Sequence, residues 1–124
     1  MSIPREAKPA KLVVGLFMGA TNLVESLALD LSSRFGSIDI LSAWLPFDYT
    51  SYYEPEMGAP LFRRVFAFDK FIQQSDLAEI KHTTNQIEQT YSQNGKRMVN
   101  IDPGYLLHER FVLASGKNYS HRIY

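Results

Sequence analysis

Residues 11–18 read KLVVGLFM. This short run is apolar, carries two adjacent valines, and is too short for a helix of ordinary length. It reads as a β-strand buried on both faces, which places it in the middle of a sheet. Gly15 within it predicts a close approach by whatever packs above the strand. Residues 1–10 before it are polar, contain Pro4 and Pro9, and are expected to form a loose arm.

A helix should follow the strand. Asn22 or Thr21 offers a cap, with Glu25 as the capping-box acid behind Asn22. Leu23, Leu27, Leu31 and Phe35 then fall at helical spacing and form one apolar stripe. Gly36 is the expected stop. Ser37 to Leu45 alternates in part, with Ile38, Ile40, Ser42 and Trp44 on one side, and reads as a second strand that Pro46 ends. Leu61 to Phe68, LFRRVFAF, is a third strand, whose phenylalanines are expected in the core. Residues 69–74 are a connector.

A second helix starts near Ser75 or Asp76, with Asp76 and Glu79 as a capping-box pair. Its stripe is Leu77, Ile80, Thr84, Ile87 and Tyr91, and Asn94-Gly95 should end it. Arg97 to Ile101 reads as a fourth strand, Asp102-Pro103-Gly104 as a turn, and 111–115 with 119–124 as a closing pair of short strands. The order strand, helix, strand, strand, helix, strand predicts an α+β fold. A ferredoxin-like or related sandwich is expected, with a mostly antiparallel sheet and two helices packed on one face. The organisation is thus an arm over 1–10 and a single domain over 11–124. The last strand runs to Tyr124 with no neighbour for its edge, so further C-terminal strands are expected.

Composition narrows the chemistry. The chain has 124 residues, 45% of them apolar and 21% charged, which suits one folded domain. Formal net charge is zero, so no global field draws in nucleic acid or an anionic membrane; Lys96 and Arg97 form only a local basic patch. With no cysteine, disulfides, thiol nucleophiles and cysteine-ligated metals are excluded. His82, His108 and His121 match no metal-ligand spacing. No apolar run reaches the length of a membrane span, and the first residues lack the apolar segment of a signal peptide. A cytoplasmic location is therefore expected.

Three segments carry candidate chemistry. PFDYTSYYEPEMG (46–58) mixes carboxylates with aromatic rings. Asp48, Tyr52, Tyr53 and Glu54 are its ligand-binding candidates, as ring-stacking walls and acceptors; the alternative is that its aromatics cover an open sheet face. Asn100, Asp102 and Tyr105 form the second group. Asp102 is a candidate base or metal ligand and Tyr105 a ligand contact, against a plain turn role for Asp-Pro-Gly. The third group is Ser115 to Arg122. Lys117 can hold an anion and His121 can pass a proton near neutrality; ordinary surface residues on a turn and strand are the alternative.

The runs KLVVGLFMG, PFDYTSYYEPEMG, NIDPGYL and LASGKNYSHRIY, in this order and spacing, resemble an uncharacterised bacterial family, the domain of unknown function numbered 4416. The resemblance covers nearly the whole chain from Lys11 and implies no assigned reaction. Some members carry a GTP-binding label, but this sequence has no G-x-x-x-x-G-K-[ST] phosphate cradle.

Two functions are therefore expected to compete. One is a small-molecule site for an anionic or phosphate-bearing ligand, in its concrete form a metal-assisted hydrolase with Asp102 and His121 as catalytic candidates. The other is a non-catalytic interaction domain using the aromatic loop and the open C-terminal strand, with self-association as one outcome. The sequence names no cofactor.

Overall fold

The computed structural model describes residues 9–47, 53–107 and 111–113. The elements are β1 (Ala10–Met18), α1 (Val24–Phe35), β2 (Ile38–Leu41), β3 (Leu45–Phe47), α2 (Glu54–Met57), β4 (Leu61–Ile72), α3 (Leu77–Thr90), β5 (Val99–Leu106) and β6 (Phe111–Leu113). One sheet holds the strands in the order β2-β4-β1-β5-β6, and β3 pairs with the start of β4. Every pairing is antiparallel. Taken as β1-α1-β2-β4-α3-β5, the chain makes two strand–helix–strand units with the strand order of a ferredoxin-like α+β fold.

β1 is central, between β4 and β5. Its even residues Leu12, Val14, Leu16 and Met18 are wholly buried and meet Leu27 and Leu31 of α1, Ile80 and Ile87 of α3, Phe66 and Phe68 of β4, and Val99 and Ile101 of β5. Both helices thus pack on one face, along the stripes that their sequence spacing predicts. Each large side chain buried there contributes roughly 1.5–3 kcal/mol. The odd residues Val13 and Gly15 are only half-buried. They lie on the face that neither long helix covers, so β1 is buried fully on one face and not on both.

Several boundaries differ from expectation, each for a local reason. The second strand is split. Ser42 takes over part of the ladder, its Oγ accepting from Val65 N–H at 2.9 Å while its own N–H donates to Val65 O. The chain then bends through Trp44, over whose ring the Arg64 guanidinium lies at 4.9 Å. Pro46 sits inside β3, opposite Phe62, because an edge strand tolerates a proline. β4 runs on to Ile72: after a register shift, Phe71 and Ile72 pair with Lys11 and Ala10, leaving no connector at 69–72.

Both helices begin through a 3-10 turn, Thr21–Leu23 and Gln74–Asp76. Neither helix has a side-chain cap at its own start. The capping box pairs Gln73 with Asp76, one turn earlier than the pairing of Asp76 with Glu79 predicts. α3 stops at Thr90, and Asn94 and Gly95, both at positive φ, form instead a two-residue turn closed by reciprocal bonds between Gln93 and Lys96. The largest change concerns Asp102-Pro103-Gly104. It is not a turn but the middle of β5, with Pro103 opposite Val14. Ile101 turns its N–H and C=O away from β1, toward Glu88 and Lys81. Pro103, two residues on, faces the same way, so its missing N–H costs the β1 ladder nothing.

Candidate functional site

Register fixes what the face opposite α1 and α3 presents. One row across the sheet runs Leu45, Arg63, Phe17, Asn100; the next runs Val65, Gly15, Asp102. A methyl group on Gly15 would stand 3.9 Å from an Arg63 guanidinium nitrogen and 3.9 Å from Asp102 O. Both are ordinary van der Waals distances, so the close approach expected at Gly15 is not found, and Arg63 is only the side chain that stands nearest above it. Arg63 and Asp102 present opposite charges on the two sides of a glycine floor.

The second part of the aromatic segment closes over the adjoining row. Tyr53 packs edge-on against Phe17, ring centroids 4.7 Å apart. One helical turn, α2, brings Glu56 to Arg97. The contact is a fork: Arg97 Nε donates to Oε2 at 2.9 Å and Nη2 to Oε1 at 2.9 Å, and the Arg97 backbone N–H also donates to Oε2 at 2.9 Å. Two parallel charge-assisted bonds make this the strong form of an ion pair. The Arg97 hydrogen bonds hold the Glu56 carboxyl below the usual carboxylate range, against a smaller opposing effect of burial.

The network continues along β5. Arg97 Nη1 donates to Asn100 Oδ1 at 2.7 Å, and Asn100 Nδ2 donates to Asp102 Oδ2 at 2.9 Å. Buried Asn100 thus relays between guanidinium and carboxylate and fixes how both point. α3 reaches the same edge from the other side. Glu88, 6% exposed, accepts from Ile101 N–H at 2.6 Å, and Lys81 Nζ donates to Ile101 O at 3.1 Å. Lys81 also stands 3.9 Å from Asp102 Oδ1, and Arg97 Nη1 3.7 Å from Glu88 Oε1. Burial pushes the Glu88 carboxyl up; the bond from Ile101 and the charges of Lys81 and Arg97 oppose it.

The sequence candidates divide. Asp102 and Tyr53 come together at this patch. Glu54 is exposed at the start of α2. Tyr105 lies on the other face: three residues from Asp102, it packs with Ala10, Ile72 and Leu77, its hydroxyl 3.4 Å from Gln74 Oε1. It does not share a site with Asp102. Asp48, Tyr52, Lys117 and His121 lie outside the described residues. Among the described residues, no three His, Asp or Glu side chains form a group able to hold a metal ion.

Arg63, Lys81 and Glu88 were not among the sequence candidates. Lys81 and Glu88 are seven residues apart beside the α3 stripe, so a base and an acid two turns apart were the available signal. Arg63 carries no such mark in the sequence. A separate cleft of about 540 Å³, lined by Arg34, Lys70, Phe71, Gln73 and Glu79 among others, opens near the start of α3 and includes none of the sequence candidates.

Residues 8–124 match the family described as Domain of unknown function (DUF4416), and the chain belongs to that family. No curated protein and no solved structure matches the chain. No helix among the described residues is long and apolar enough to cross a membrane.

Proposed function

We propose that this domain binds a small polar molecule bearing a phosphate or carboxylate on the face of its sheet opposite α1 and α3. The observation that carries the reading is the placing of Arg63 and Asp102 on the two strands that flank Gly15, with a guanidinium nitrogen of Arg63 above the glycine. A guanidinium takes the anionic group and a carboxylate takes hydroxyl or amine donors. The glycine between them leaves the floor low, and Tyr53, packed on the buried Phe17, forms an aromatic wall next to it. Asp102 is the candidate base for hydrolysis at this place.

The test is a calorimetric titration with inorganic phosphate, sugar phosphates and nucleotides, with a hydrolysis assay on any ligand that binds. At least one sugar phosphate or nucleotide should bind. Arg63→Met and Asp102→Asn should each weaken it about tenfold, the loss expected for one charge-assisted contact. A panel that is silent, or variants that bind like the parent, would overturn the reading.

A second reading, self-association as a non-catalytic interaction domain, is favoured by one different observation. β2 is an outer strand of the sheet, with Ile40 56% and Leu41 51% exposed.

A further inference from the structure

Arg97 is an oxyanion receptor already filled by its own chain. Three donors of one residue, Nε, Nη2 and the backbone N–H, converge on the two oxygens of the Glu56 carboxylate at 2.9 Å each. This is the fork geometry in which arginine takes free carboxylates and phosphates. The receptor is rigid: Nη1 is tied to Asn100, which is itself tied to Asp102 on β5. The occupant is less firmly seated. α2 is a single turn that buries none of its four residues, and it is closed by Gly58 at φ +80°. Tyr53, just ahead of the turn, packs edge-on against Phe17. The pair is also reachable, with 28% of the Arg97 side chain and 33% of the Glu56 side chain exposed.

We infer that Glu56 is an intramolecular stand-in for an anionic ligand, and that a carboxylate or phosphate displaces it from Arg97 and so releases the 53–57 turn from the sheet. The inference goes beyond the proposed ligand site, since it rests on the Arg97 donor set and not on Arg63. Competition sets its consequence. A tethered carboxylate holds a high effective concentration, so free anions bind the parent weakly and bind strongly once Glu56 is removed.

The test follows the Arg97 Nε–H signal by NMR while inorganic phosphate, and separately succinate, is added to the full chain. In Glu56→Ala the signal should titrate with a Kd at least about tenfold below that of the parent, because one competing charge-assisted fork is gone. Glu56→Gln should fall between the two. The gain in anion affinity that Glu56→Ala brings, measured by calorimetry, should be lost in the double variant Glu56→Ala, Arg97→Met. Hydrogen exchange over 53–58 should rise when phosphate is added to the parent. Arg63→Met should leave the Arg97 titration unchanged, which separates this result from the fate of the ligand proposal. The inference is overturned if Glu56→Ala binds no more tightly than the parent, or if the double variant binds as well as Glu56→Ala.

Discussion

At the scale of single residues, two glutamates on the same network respond to burial and charge in opposite ways. Glu56 is held as a carboxylate by Arg97. Its folded pKa lies below the unfolded value of about 4.5. Its stabilising contribution is therefore complete above that value and lost as pH falls through the lower folded one. Glu88 is nearly buried, and its folded pKa lies above 4.5. Its linkage runs the other way: the stabilisation is complete below the unfolded value and is lost as pH rises through the folded one. Urea unfolding across a pH series should separate them, Glu56→Gln flattening the acid limb and Glu88→Gln removing the decline on the other side. Glu88→Gln can still accept from Ile101 N–H and should stay within about 1 kcal/mol of the parent at neutral pH. Glu88→Ala leaves that buried N–H unpaired and should cost about 1–3 kcal/mol. An alanine variant as stable as the glutamine one would show that the Ile101 bond contributes nothing.

Among elements, junctions were harder to read than the elements themselves. Gly36 ends α1 at φ +101°, and a Cβ there would lie 3.1 Å from Lys70 Cβ. Gly95, in the turn after α3, has φ +75° and open space around it. Gly95→Ala should thus cost roughly 1–2 kcal/mol for the left-handed backbone alone. Gly36→Ala should cost more, since crowding against β4 adds to it; equal losses by thermal unfolding would refute the crowding. The helices were legible because Leu27, Leu31, Ile80 and Ile87 repeat with the helical period, and burial enforces that period. The caps were not, because the 3-10 turns ahead of both helices move the hydrogen bonds by a turn. Asp102-Pro103-Gly104 misled for a related reason. Its composition favours a turn locally, but pairing with β1 outweighs local preference, and Pro103 turns its nitrogen away from the β1 ladder, where a strand can hold it.

For the whole molecule, the ferredoxin-like plan was legible from element order. The polar site was only partly so, because its members come from several elements, and nothing in the sequence announces that β1 will be flanked by Arg63 of β4 and Asp102 of β5. Topology also decides which side of the molecule is open to a partner. On one side, β5 is partly covered by β6, and beyond it Glu88 and Lys81 occupy the N–H and C=O of Ile101, standing in for a neighbouring strand. On the other, β2 is an edge strand, and Ile40 and Leu41 are exposed on opposite faces of the sheet. The one charge on β2, Asp39, is drawn to Lys11 at 2.7 Å, so no unpaired charge on that strand guards it. An edge strand without a guarding charge is a ready template for pairing with another copy of itself. The chain should accordingly show a mass that rises with concentration in sedimentation equilibrium. Ile40→Lys, a charge placed at mid-strand on a side chain already in solvent, should return it to monomer without lowering Tm by more than a few degrees, as expected of a surface change. A parent that stays monomeric at high concentration, or a lysine variant that associates equally, would rule out β2 as the contact.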